Sequence, residues 1–267
     1  MRPLEGQNAI VTGGGRGLGR AIAEVMAAAG ANVVVASRNA PQLDEVVERI
    51  RASGGHALAY AADVADERQV QELVLNTERW VGPATVLVNN AGVLDPIAPL
   101  ARTDPTSWLR HVAINVGGTY LVTRAVLPGM LERAYGRIVN VSSSAARRAS
   151  AGWTAYCAAK AAVDQMTRAL AVELEDTGVT VCSFYPGHMG TAMQERIRRS
   201  SPDDFPRVQE FREAQREGRV RDPSEPARSI AYLASPAAAC NGQIVEQGDA
   251  ELRRAVDAVF GAEAGRA

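Results

Sequence analysis

Apolar positions along the chain take two alternating forms. Short, largely apolar runs, most of them rich in Val or Ile, occupy 9–11, 33–36, 57–61, 85–88, 137–141, 179–184 and 244–245. Between them, apolar residues recur every three to four positions, which predicts helices over 18–29, 43–53, 67–81, 108–116, 118–133, 225–234 and 251–260, with another carrying Tyr156. Continuous β-branched runs of this length suit strands covered on both faces. Strand–helix alternation at this rhythm predicts βαβ units. The fold expected is α/β, a single-domain Rossmann fold with a doubly wound parallel sheet of about seven strands and helices on both faces. No Ser/Pro-rich linker and no further repeat breaks the pattern, so one domain is expected over 1–267.

The first strand runs into Thr12-Gly13-Gly14-Gly15-Arg16-Gly17-Leu18-Gly19, which opens the first helix. Glycines there allow a tight turn and close backbone approach to a pyrophosphate, and the helix N-terminus offers free N–H groups. A second candidate is the pair Tyr156 and Lys160, four apart and therefore on one helix face. A phenol is a poor acid or base near neutrality, and a fixed ammonium beside it favours the phenolate. Alone, such a pair is also compatible with an ordinary helix surface.

The glycine spacing, Gly13, Gly17 and Gly19, resembles that of the short-chain dehydrogenase/reductase family. The resemblance continues in order down the chain. It includes Asp63-Val64, the run Asn89-Asn90-Ala91-Gly92, Asn115, Ser143 placed 13 residues before Tyr156, and Pro186-Gly187 with Thr191. It implies an oxidoreductase that moves a hydride between a nicotinamide and a ketone, diketone or secondary alcohol. Tyr156 would be general acid and base, and Lys160 would lower its pKa and bind the nicotinamide ribose. Ser143 would orient the substrate oxygen, with Ser142 and Ser144 as alternatives one register away. Asn115 would hold a water on the proton relay. Thr12, Gly13, Gly15, Arg16, Gly17, Leu18, Gly19, Asn89, Ala91, Gly92, Pro186, Gly187 and Thr191 would line the cofactor groove, and Asp63 and Val64 would meet the adenine. Homodimers or homotetramers are implied as well.

The second strand ends Ala36-Ser37-Arg38, with no carboxylate to accept from ribose hydroxyls. Arg38 suits a 2′-phosphate, Ser37 can donate to it, and Arg16 is a second cation, so NADP(H) is expected over NAD(H).

The segment 192–223 is where the family builds a substrate lid. Within it, Met193 and Phe205 either line an apolar pocket or pack the lid onto the body. His188 either touches substrate or sits on a surface loop. The stretches TAMQERIRRSSPDDFPRV and GRVRDP resemble the sepiapterin reductase and benzil reductase branch, which implies a small or aromatic ketone or diketone. A 3-oxoacyl-thioester reductase is the alternative within the class, and a non-catalytic NADP(H)-binding sensor or scaffold the alternative outside it. The final strand lacks the Gly-Gly ending common in the family and leads instead into the tail 251–260.

Composition narrows the partners. At 46% hydrophobic and 22% charged residues the chain can bury a core, and a net charge of −1 gives no electrostatic footprint for nucleic acid or an anionic membrane. The Arg-rich stretch 196–221 also carries Asp203, Asp204, Glu210, Glu213 and Glu217, which reads as a solvated helical segment. Cys157, Cys182 and Cys240 are scattered, as are His56, His111 and His188, so neither a disulfide framework nor a metal site is expected. With no apolar leader and no long apolar run, a cytoplasmic protein is expected.

Overall fold

A computed structural model of the chain describes residues 2–261. Seven strands form one parallel sheet: β1 (Asn8–Thr12), β2 (Asn32–Ser37), β3 (His56–Ala61), β4 (Val86–Asn89), β5 (Gly136–Val141), β6 (Val179–Tyr185) and β7 (Ile244–Glu246). Their spatial order is β3-β2-β1-β4-β5-β6-β7. The chain winds outward from β1 to β3, then returns to place β4 against the other edge of β1. Connections leave β1 and β4 in opposite directions, which opens a crevice at the carboxyl ends of these two strands. This is the Rossmann arrangement.

Strand alternation supplies both cores. Ala9, Val11, Val33, Val35, Val86 and Val88 face α1 (Gly17–Ala28), α2 (Ala40–Ala52) and α9 (Ser224–Leu233), packing with Ile22, Met26, Leu43 and Ile230. Ile10, Val34, Leu87, Ile138 and Val181 face the opposite way, onto Leu73 of α3 (Glu67–Val81) and Val122, Val126 and Met130 of α5 (Gly118–Glu132). The tail forms α10 (Ala250–Phe260), whose Leu252 and Val256 join the first core. Residues 1 and 262–267 of the expected domain lie outside the described residues.

Element bounds match the apolar pattern to within three residues, with one exception. The stretches 108–116 and 118–133 are a single helical run, in which α4 (Pro105–Val112) passes through a π turn, Ala113–Gly117, into α5. The glycines at 117 and 118 look like a break in the sequence. In the fold Gly118 serves close packing, because a Cβ there would stand 2.6 Å from Cγ2 of Val64. Two of the scattered cysteines come together in space. Cys182 and Cys240, 58 residues apart, meet in the core as free thiols with 3.2 Å between their Sγ atoms. Among the described residues, no helix is long and apolar enough to cross a membrane, and no group of His, Cys, Asp and Glu is placed to hold a metal.

Candidate active site

The glycine turn occupies the crevice. Gly17 has φ +54°, and a Cβ on Gly19 would lie 2.1 Å from the carbonyl oxygen of Gly13. Only glycine fits at such an approach. Helix α1 starts behind this turn with no side-chain cap and no acid in its first turn, whereas α2, α3 and α4 open on Asn39, Asp66 and Asp104 caps. The N–H groups of α1 are therefore left for an anion. That fits the pyrophosphate of a nicotinamide dinucleotide. Ser37 and Arg38 flank the turn: the Gly14 N–H donates to the Ala36 oxygen at 3.2 Å, and a Cβ on Gly15 would be 3.2 Å from Ser37 Oγ. Arg16 and Arg38 are exposed and make no ion pair among the described residues.

Several residues expected in the groove act from behind it. The Thr12 hydroxyl donates to the Val88 oxygen and accepts from the N–H groups of Asn90 and Ala91, both at 3.0 Å, tying β1 to the end of β4. Leu18 is buried in the core beneath the turn. The Asn89 amide is also withdrawn from the groove. It donates to Thr123 and Asn140, and Asn140 donates to Thr167, which meets Ser183, each step at 2.9 Å. This buried ladder crosses three strands, and it takes the Asn89 side chain because β4 points it into the sheet. Asp63 is paired with Arg110 and accepts from Ala65 N–H at 3.0 Å, and Val64 packs on Gly118.

At the carboxyl ends of β5 and β6 lie the chemical groups. Helix α6 (Thr154–Glu173) carries Tyr156 and Lys160 on one face. The Ser143 hydroxyl caps a 3-10 turn, accepts from Ala145 N–H at 3.2 Å and hydrogen-bonds the Tyr156 phenol. Ser142 is instead buried against the Lys160 carbonyl and Ser144 is exposed, so the register expected for Ser143 is the one that reaches Tyr156. Lys160 Nζ donates to the Val141 carbonyl at 2.7 Å and lies 5.8 Å from the Tyr156 ring centroid.

The expected drop in the Tyr156 pKa is not found. Tyr156 is 9% exposed, and burial pushes its phenol up to about 12, with the Ser143 hydrogen bond pulling weakly the other way. Burial likewise lowers Lys160 to about 8, opposed by the charge of Asp164. Desolvation sets the direction, and the Lys160 ammonium is directed to a backbone oxygen and not to the phenol.

Asn115 sits in the π turn. Its amide donates to the Val93 and His111 carbonyls, both at 3.1 Å, and accepts from Val93 N–H at 3.2 Å. Both amide protons are thus engaged, and the side chain clamps the loop after β4 to the helix. Gly92 is part of this clamp, since a Cβ there would lie 2.6 Å from Asn115 Oδ1.

A cavity of about 900 Å³ opens above Ser143 and Tyr156, walled by Leu94, Trp153, Pro186, Gly187, Thr191 and the lid. Thr191 caps α7 (Ala192–Arg198) and stands over the glycine turn, where a Cβ on Gly17 would be 3.3 Å from its methyl. The lid continues through α8 (Val208–Arg216). Its polar sequence conceals an aromatic base: Phe205, fully buried, stacks on Trp153 at 4.3 Å, and Phe211 closes on both. Phe205 therefore packs the lid onto the body, while Met193, 37% exposed, lines the cavity. His188 also lines it, stacked on Phe211 at 4.8 Å, with its pKa lowered chiefly by burial.

Sequence reasoning missed four residues around the pair. Trp153 meets the Tyr156 ring at 5.2 Å, and His111, buried by α4, meets it edge-on at 6.0 Å. Asp164 lies one turn beyond Lys160, and Tyr185 donates to its carboxylate. Helical spacing was the available signal: Trp153 precedes Tyr156 by three, Asp164 follows Lys160 by four, and His111 precedes Asn115 by four.

A dinucleotide groove beside a Ser–Tyr–Lys cluster in a Rossmann sheet defines an oxidoreductase. Residues 7–202 match the short chain dehydrogenase family. The chain is 37% identical over 241 residues to a 3-oxoacyl-[acyl-carrier-protein] reductase of Synechocystis, covering 90% of this chain and 94% of that protein. A short chain dehydrogenase of Pseudocercospora fijiensis is 38% identical over 203 residues, 75% of this chain and 63% of that longer protein. The crystal structure of gox2181 superposes with a TM-score of 0.83 at 30% identity, covering 91% of this chain and 94% of that one. The chain belongs to the short chain dehydrogenase family.

Proposed function

We propose that the protein is an NADP(H)-dependent carbonyl reductase, acting in either direction between a ketone or vicinal diketone and the secondary alcohol. The observation that carries this is the hydrogen-bonded pair of hydroxyls, Ser143 and Tyr156, at the wall of a cavity of mixed lining, apolar at Leu94, Trp153 and Met193 and charged at Arg148, Arg207 and Glu210. A substrate carbonyl oxygen there accepts hydrogen bonds from both groups and takes the Tyr156 proton as its carbon is reduced. Bound in the groove, a reduced nicotinamide supplies the hydride. A phenol held at about 12 is fully protonated near neutrality, so it suits the donor role of the reductive direction better than the base role. Lys160, one turn along the same helix face, is placed to bind the nicotinamide ribose. Arg16 and Arg38, exposed and without an ion pair among the described residues, favour a 2′-phosphate.

The Synechocystis relative's name favours a second reading, reduction of a 3-oxoacyl thioester. Exposed Leu109, Tyr120 and Leu131 on the α4–α5 run support assembly as a homodimer or homotetramer. The test is dinucleotide oxidation at 340 nm with NADPH and NADH against ketones, vicinal diketones and acetoacetyl thioesters. The expected result is turnover of a ketone or diketone with NADPH favoured by about tenfold or more in kcat/KM, the scale of one charge-assisted contact. Turnover confined to thioesters selects the second reading. Equal kcat/KM for the two dinucleotides refutes the NADP(H) assignment, and tight NADPH binding without any turnover points to a sensor.

A further inference from the structure

Along α6, Tyr156, Lys160 and Asp164 recur at intervals of four and share a face. Asp164 is only 3% exposed. Its Oδ2 accepts the hydroxyl of Tyr185 from the end of β6, and its Oδ1 has no hydrogen-bond partner among the described residues. A buried carboxylate left half-satisfied is costly unless a cation faces it. Lys160, one turn away and 7% exposed, is the buried cation in its field, with no direct ion pair between them, while Arg168 lies one turn along the helix on the other side. It is also the only lysine in the chain, all 28 other Lys/Arg positions being arginine.

The charges around Lys160 can be followed element by element. From α6 come Tyr156 and Asp164; from α4 comes His111, whose pKa is lowered mainly by burial and further by the Lys160 charge, and whose ring nitrogen Nδ1 is held by the Asp95 oxygen at 2.9 Å. From β5 comes only the Val141 carbonyl, and from the turn after it Ser143. From β6 comes Tyr185, its ring covered by the Arg147 guanidinium at 5.0 Å, which is itself paired with Glu246 of β7. Among the described residues, Asp164 is the one carboxylate whose field opposes the desolvation of Lys160.

We propose that Asp164 is a positioning residue that acts through Lys160: its buried carboxylate is the counter-charge that keeps the lysine an ammonium, and Tyr185 fixes that carboxylate in place. Its catalytic meaning rests on the carbonyl-reductase reading, in which Lys160 must stay cationic beside Tyr156. The electrostatic coupling itself stands without that reading and can be measured without any substrate.

The uniqueness of Lys160 makes the measurement site-specific. Protein grown with [ε-13C]lysine gives one lysine side-chain resonance, and its pH titration reports Lys160 alone. The expected wild-type midpoint is near 8. Asp164→Asn should lower it by about one unit or more, as loss of a nearby opposite charge does. A midpoint within about 0.3 of wild type, well inside the usual spread for lysines, overturns the proposal. If Asp164→Asn does not fold, Asp164→Leu is titrated against the same criterion. With a turned-over carbonyl in hand, the alkaline fall of kcat should move down with the lysine midpoint, whereas a merely structural role lowers kcat equally at every pH.

Discussion

Replacing Lys160 by Met should separate the stability of this fold from its chemistry. The amine is buried, and its pKa falls from 10.5 to about 8. At about 1.4 kcal/mol per unit, holding the charged form in the fold costs about 3 kcal/mol relative to the unfolded chain. The sign follows from proton counts. Below pH 8 both states carry the proton and the whole cost is present. Between 8 and 10.5 the unfolded chain binds more protons than the folded one, so stability rises with pH, and above 10.5 the cost is gone. Lys160→Met also loses the 2.7 Å bond to the Val141 carbonyl, but that loss does not depend on pH. Tyr156, raised to about 12, works in the opposite direction between pH 10 and 12 in both proteins and cancels in their difference. Urea unfolding of wild type and Lys160→Met, without dinucleotide, from pH 7 to pH 10 is the assay. The stability of wild type relative to the variant should rise by about 2–3 kcal/mol across that range. A difference constant to within about 0.5 kcal/mol would show that Lys160 is not desolvated, and the reasoning would fail.

Tyr156→Phe should cut kcat by about 10²–10⁴ while dinucleotide affinity stays within about twofold, measured by turnover and fluorescence titration; a loss below tenfold refutes the general-acid role. Gly19→Ala pushes a methyl to 2.1 Å from the Gly13 oxygen. A turn distortion of about 1–3 kcal/mol weakens dinucleotide binding by about 10–100-fold, readable by calorimetry. Trp153→Ala removes the surface on which Phe205 stacks at 4.3 Å. It should cost about 3–5 kcal/mol in urea unfolding and make the lid the first site of limited proteolysis, since it empties a buried aromatic site.

What was legible in the sequence is what depends on neighbours along the chain. The strand runs carry their own burial pattern, and the glycine turn is set by spacing alone, so both are found where they were read. Tyr156 and Lys160 share a face because helices repeat. What the sequence left open involves partners far away along the chain. Asn115 commits its amide to Val93, 22 positions earlier, and Asn89 turns to Asn140, 51 positions later. Phe205 and Met193 lie in one polar stretch, and only the position of Trp153 decides which is packed and which is open. The Tyr156 pKa depends on how much water the fold removes, which no local motif encodes. The π turn hides behind two glycines whose reason, Val64, is elsewhere.

The bare N-terminus of α1 ties the abundance of this protein to the redox economy around it. A helix whose first N–H groups lack a cap would be completed by a dinucleotide bound as proposed, and ligand and fold would then be linked by mass action. At a free dinucleotide concentration of about 100 times its dissociation constant, the linkage adds about 2.7 kcal/mol to folding. A cell depleted of that dinucleotide would lose the activity twice over, once through lack of hydride and again as the unoccupied protein unfolds and is degraded faster.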